Sequence, residues 1–349
     1  MTDKIRNKCE LFERNRTAIS KKFLFEKSVM SIAAGLIFTG ADQEADVEKM
    51  AECRSILKKH TGVFSELRDT IKIVLLSEMA LSDDAGQFIE DVKAVYKKLH
   101  KGHFRDNSYM VLAAMLLCHL GRQSDADAVV EKHNEILKQM NKLHPILTDS
   151  EDISYVILLA LSDRPVESIL GDMNECLDYL KNIRKSKVGS DSMQRLSEIL
   201  ALTDGDVKEK CDRVIKLYDI LQQNKTVTAD GYIFSSLGML IDIDEAPESI
   251  VEGIFEACEW MKDCKGFENN AEGKRQRLMV AELLIAELYG TGATMISNAF
   301  VGNALSIIKA QQIATTITVI TNLLSAVIGA VADNKSTETD GNDTAQKGQ

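Results

Sequence analysis

Proline is nearly absent, with three residues in a chain of 349. Proline deletes a backbone donor and breaks helix interiors, so its scarcity leaves room for long runs of helix. Tryptophan occurs once, at Trp260, and aromatic residues make up only 5%, which is poor material for the stacking platforms of carbohydrate sites. There is no basic excess. With a net charge of -11 the chain lacks the surplus of Lys and Arg that binds a phosphate backbone, and no nucleic-acid partner is expected.

None of the seven cysteines forms a C-x-x-C pair; Cys258 and Cys264, the two nearest in sequence, are six apart. That removes the usual zinc and redox spacings. Cys53, Cys176, Cys211 and Cys258 fall in amphipathic patterns and read as packed thiols. The N-terminal stretch MTDKIRNKCELFERNRTAIS carries charge throughout and has no apolar run, so no secretory signal is read there and a reducing, cytoplasmic setting is expected. H-E-x-x-H, G-x-G-x-x-G, Walker and G-x-S-x-G motifs are all missing, and neither catalytic residues nor a cofactor are expected. His100 and His103 have a spacing that could suit a metal, but KLHKGHF offers no Asp, Glu or Cys beside them, and no metal is assigned.

What the chain does have is a recurring turn. LLALSDRPVESILGDMNECLDYL is nearly rewritten as LALTDGDVKEKCDRVIKLYDIL and as EMALSDDAGQFIEDVKAVYKKL. Marker aspartates stand at Asp42, Asp83, Asp125, Asp163, Asp204 and Asp244, at intervals of 41, 42, 38, 41 and 40 residues. A period near 40 matches HEAT or armadillo helical units. After each marker, apolar residues recur at helical spacing, as in Val166, Leu170, Met173, Leu177 and Leu180 or Val207, Cys211, Val214, Tyr218 and Leu221, which gives one buried stripe. His133 falls on such a stripe and reads as a packed core histidine. Before each marker the chain is apolar on nearly every side (IAAGLIF, IKIVLLSEMAL, MVLAAMLLCHL, ISYVILLAL). Helices of that kind are enclosed by neighbours.

The aspartates have a local reason to be there. Asp83, Asp163 and Asp204 can accept from the unpaired N–H groups of the next helix and suit its positive end, so they read as structural caps. Pro165 and Pro247 sit where the first turn tolerates a missing N–H. The fold expectation is therefore all-α: an α-solenoid of six to seven helix pairs over residues 1–290, ending with GKRQRLMVAELLIAELYG as a last lone helix.

The segments KKFLFEKSVMSIAAGLIFT, TGVFSELR, KCDRVIKLYDIL, GKRQRLMVAELLIAEL and IIKAQQIA together resemble a family of Gram-positive bacterial proteins catalogued as domain of unknown function four thousand and three. The resemblance covers most of the chain. It implies a shared fold and carries no activity or site residues. Similar proteins tend to end in a tail rich in small residues, whereas here that stretch is richer in Ile, Val and Thr.

One segment does not fit the repeat. Residues 293–332 contain a single charge, Lys309, and 310–332 are long enough for the hydrocarbon core of about 30 Å. Ile313, Ile317, Val319, Ile320, Leu323, Leu324, Val327 and Ile328 supply its apolar surface, while Gln311, Gln312 and Asn322 would need partners in lipid. Three readings are open: a buried pair sealing the array, a membrane segment, or an oligomerisation helix. Lys274, Arg275 and Arg277 open the preceding helix as a candidate contact for an anion or a membrane surface. Residues 333–349 have no apolar stripe and read as a disordered tail. The expected function is a non-catalytic helical-repeat scaffold for an unidentified protein partner. The alternatives are an effector attached to a membrane through the apolar segment, and an α/α-barrel hydrolase.

Overall fold

A computed structural model describes residues 1–24, 28–62, 66–68, 71–101, 108–143, 152–162, 164–184, 188–202, 204–223, 231–267 and 269–290. Asp163, His103 and the whole of 291–349 lie outside the described residues, and with them Ile313, Ile317, Val319, Ile320, Leu323, Leu324, Val327 and Ile328. The described residues are all-helical, with no strand among them. Their α-helices are α1 (Asp3–Lys22), α2 (Ser28–Gly40), α3 (Val47–His60), α4 (Lys72–Leu81), α5 (Ala85–His100), α6 (Ser108–His119), α7 (Ala126–Leu143), α8 (Asp152–Leu161), α9 (Val166–Arg184), α10 (Ser190–Leu200), α11 (Val207–Gln223), α12 (Gly231–Ser236), α13 (Pro247–Met261) and α14 (Ala271–Tyr289). A 3-10 turn, Leu237–Leu240, extends α12.

The odd helices are amphipathic and bury one stripe each. In α5 the stripe is Ile89, Val92, Val95 and Leu99; in α9 it includes Ile169, Met173, Cys176, Leu177 and Leu180. His133 in α7 is fully buried on the same kind of stripe, as its spacing suggested. The even helices are enclosed on nearly every side: Ile73 to Ala80, Met110 to Cys118 and Tyr155 to Leu161 are buried without a break. Each odd helix packs on the even helix that follows it, α11 doing so through the 3-10 turn, and on the next odd helix. Even helices likewise touch their even neighbours. Two rows result, an outer one with a solvent face and an inner one without.

An open solenoid is not what these rows form, because the ends meet: α1 packs on both α13 and α14. The physical reason lies in the pairing. Each marker turn joins an inner helix to the outer helix after it, so six turns account for α2 to α13 and leave one helix over at each end. Each leftover helix carries an uncovered apolar face, namely Ile5, Cys9, Phe12 and Ile19 on α1 and Leu278, Leu284 and Ile285 on α14. Burying those faces against each other and against α13 makes a seventh unit and closes the ring, where an open array would leave both in water. The expected lone last helix is thus partnered.

The capping aspartates are shifted along the chain. Asp84, one residue past the marker Asp83, caps α5 by accepting from Gly86 N and Gln87 N at 2.8 and 3.0 Å. At α11 the acceptor is Asp206, from Glu209 N at 2.9 Å, while Asp204 instead faces Arg164 at 3.5 Å. An N-cap must directly precede the first helical residue, and these helices begin at Ala85 and Val207. Asp46 caps α3 in the same way. Asp84→Ala should therefore cost about 0.5–2 kcal/mol in a denaturant melt and Asp84→Asn less, whereas Asp83→Ala should stay within about 0.5 kcal/mol, as expected for a surface site.

Candidate functional site

The C-termini of the inner helices α2, α4, α8 and α10, and the turn after α12, are met by cations from neighbouring elements. A helix leaves its last carbonyls unpaired and its C-terminal end partially negative, and the fold answers this repeatedly. Lys8 Nζ donates to Thr39 O at the end of α2 (2.8 Å), Lys49 Nζ to Ser82 O beyond α4 (3.3 Å), and Arg122 to Leu161 O of α8 (2.8 Å). Lys132 reaches Ser162 O and Arg164 O, Arg164 reaches Ala201 O, and Arg213 reaches Ile243 O and Glu245 O. These side chains hold one helix pair to the next. Lys49 and Lys132 each stand seven residues after a marker aspartate, but Glu90, Leu170, Cys211 and Val251 hold that place after the others, so no shared spacing marks these cations in sequence.

The joint of the ring is the most heavily tied region. Lys8 is almost fully buried between Asp42 Oδ1 at 2.6 Å and the buried Glu287 of α14. Burial lowers its pKa, but Asp42 and Glu287 outweigh that and the net displacement is upward, so the ammonium is held charged. Asn15 binds Thr39 Oγ1 at 3.2 Å and Gln43 O at 2.9 Å and accepts from Ala45 N at 2.8 Å. Arg16 is paired with Glu13, donates to Lys265 O at 2.5 Å and lies 4.9 Å from the ring centre of Phe267. Gly35 of α2 lets α1 approach closely, since a Cβ there would stand 3.1 Å from Arg16 N.

Beside this joint is a cleft of about 330 Å³, within the size range of small-ligand sites. Ile5, Ile250 and Ile285 form a buried apolar floor, with Gly253 between them, and Tyr289 is part of the lining. The rim carries Glu245, Glu252 and Glu256, the last paired with the Met1 ammonium. Among the described residues no histidine, cysteine or lysine lines this cleft. Its chemistry is apolar contact below and negative charge above.

The other sequence candidates are dispersed. Arg277 is buried, donating to Phe267 O at 2.6 Å and Asn269 Oδ1 at 3.2 Å, so it secures the α13–α14 link instead of facing an anion or a membrane surface. Lys274 and Arg275 flank the same turn, half-buried, and Asn270 caps α14 through Gly273 N. His100 packs on the ring of Tyr96 at 6.0 Å. Burial lifts the thiols of Cys9 and Cys118 to about 12, as inert core groups require. Among the described residues no cluster of His, Cys, Asp or Glu is arranged to hold a metal ion, and no helix is long and apolar enough to cross a membrane.

One titrating pair stands out near the inner-helix ends. His119 Nδ1 lies 2.7 Å from Glu78 Oε2, and this bond raises the histidine above its ordinary 6.5 against the opposing effect of burial. A raised folded-state pKa means that the stabilisation is fully present below the unfolded value and fades as pH rises through the folded one. Wild-type protein should accordingly lose stability across the range just above pH 6.5 relative to Glu78→Gln, which denaturant melts at stepped pH would show.

A protein-family model described as "Protein of unknown function (DUF4003)" matches residues 15–313. No curated protein and no solved structure matches the chain.

Proposed function

Because the chain belongs to the DUF4003 family, proteins described only as of unknown function, we propose its role from its own geometry: a non-catalytic binding module, a ring of helix pairs whose joint recognises a basic and apolar segment of a partner protein. The cleft at the joint carries this reading. It pairs an apolar floor with a rim of three glutamates, and among the described residues no histidine, cysteine or lysine lines it. Glu256 is paired with the Met1 ammonium and Arg213 donates to the carbonyls of Ile243 and Glu245, so the rim offers its negative charge mainly through Glu245 and Glu252.

Fluorescence anisotropy with labelled peptides tests it. Peptides alternating Lys and Leu should bind the full chain in a salt-sensitive way, those with Glu for Lys should not, and Glu245→Lys with Glu252→Lys should abolish binding without lowering the melting midpoint. Binding that ignores both the peptide charge and the double variant would contradict the proposal.

The closed ring and three buried inner-row carboxylates, Glu78, Glu198 and Glu282, favour a second reading, a hydrolase acting within the ring. Glu78 is bonded to His119, Glu198 to Gln194 and Glu282 to Ser236, which is structural company. Turnover of a glycoside panel that is lost in Glu282→Gln at unchanged stability would establish it. Attachment to a membrane through 293–332 is tested separately, by vesicle flotation of the full chain beside a chain ending at Gly290.

A further inference from the structure

Cys176 and Cys211 lie in successive outer helices, α9 and α11, on the stripes that face each other. Their sulfurs are 3.1 Å apart and both residues are buried, about 1 Å beyond the disulfide bond length of about 2.05 Å. All seven cysteines are free thiols. Around this pair Lys210 is tied to Leu200 O at 2.9 Å, and Asp172 is tied to Arg164 at 2.7 Å, so the turn between the two units is already fixed. A bond between the sulfurs would need them to approach by about 1 Å.

We propose that Cys176 and Cys211 are an oxidative modification site, converted to an intramolecular disulfide by a small-molecule disulfide and thereby stapling two neighbouring units of the ring. One thiol, as thiolate, attacks a sulfur of the oxidant R–S–S–R and expels one thiolate. The other then attacks that mixed disulfide and expels the second. The protein loses two S–H hydrogens, one S–S bond forms, and the oxidant leaves as two R–SH, so atoms and electrons balance. The contact with the partner sulfur and then burial hold Cys176 far above the ordinary thiol range, so thiolate is scarce in the closed ring. Oxidation is therefore slow and follows the opening of α9 from α11. Once formed, the bond closes the intervening loop and restricts the unfolded chain.

The full chain is incubated with oxidised glutathione, with and without a urea concentration below its unfolding transition, then thiol-counted and digested without reductant. The expected result is a fall from seven thiols to five, faster in urea, with one linked peptide containing Cys176 and Cys211. The melting midpoint should rise and return on reduction. Cys176→Ser and Cys211→Ser should each give no intramolecular linked peptide and no rise of the melting midpoint on oxidation, the remaining thiol stopping at a mixed disulfide with glutathione. Seven thiols persisting at equilibrium in both conditions, or linkage through other cysteines, would overturn the proposal.

Discussion

Replacing Lys8 with Met should cost about 3–5 kcal/mol, the usual penalty for removing one member of a buried ion pair. Lys8 and Glu287 are each about 8% exposed, so without the ammonium the Glu287 carboxylate remains in a dry site beside Asp42. Glu287 must then protonate or pull the joint open, and Thr39 O loses its donor as well. The loss comes from the charge left behind. Lys8→Met combined with Glu287→Met should consequently be milder than Lys8→Met alone, because two apolar side chains replace the pair. Denaturant melts of the wild type, both single variants and the double variant complete the cycle. Single-variant losses that simply add would show that Lys8 and Glu287 are not coupled.

Phe12→Ala should be comparably severe, about 3–5 kcal/mol. Phe12 is fully buried on α1, and its ring centre is 6.2 Å from that of Phe267 on the link between α13 and α14. At the end of an open array the same truncation would only fray a terminal helix. In the ring it removes a shared wall between the first and last units, so amide exchange should quicken in α13 and α14 as well as in α1. Phe12→Leu, which keeps most of the volume, should cost much less.

The repeat could be read from sequence because its causes are local. The outer helices begin at Val47, Ala85, Ala126, Val166, Val207 and Pro247, close to where a period near 40 places them, and the apolar runs form the enclosed row. The caps could be read only to within a residue or two. SDD and TDGD each offer two aspartates, and which of them caps depends on where the first helical turn closes. Asp84 and Asp206 hold that place while Asp204 is drawn to Arg164 across the unit boundary.

Closure was not legible, because it joins residues as far apart as Arg16 and Lys265 and no periodicity reports such a contact. The burial of Arg277 is hidden from sequence for the same reason. A cation in the first turn of a helix suggests an exposed basic patch, but the free carbonyl of Phe267 brings it inside. The cleft is not visible in sequence for a similar reason: Glu245, Glu252 and Glu256 look like any solvated face until α1 places Thr2 and Ile5 beside them.

Closure is tested most directly by the distance between the first and last outer helices. Spin labels introduced through non-canonical amino acids at Lys4 and Glu259, both exposed on helices that touch, report it by pulsed dipolar spectroscopy. Packed helices lie about 8–10 Å apart axis to axis, so with the label arms a closed ring requires a single population below about 30 Å. In an open array the same labels would be separated by six such steps, about 50–60 Å. A distribution centred there in the native protein would contradict the ring.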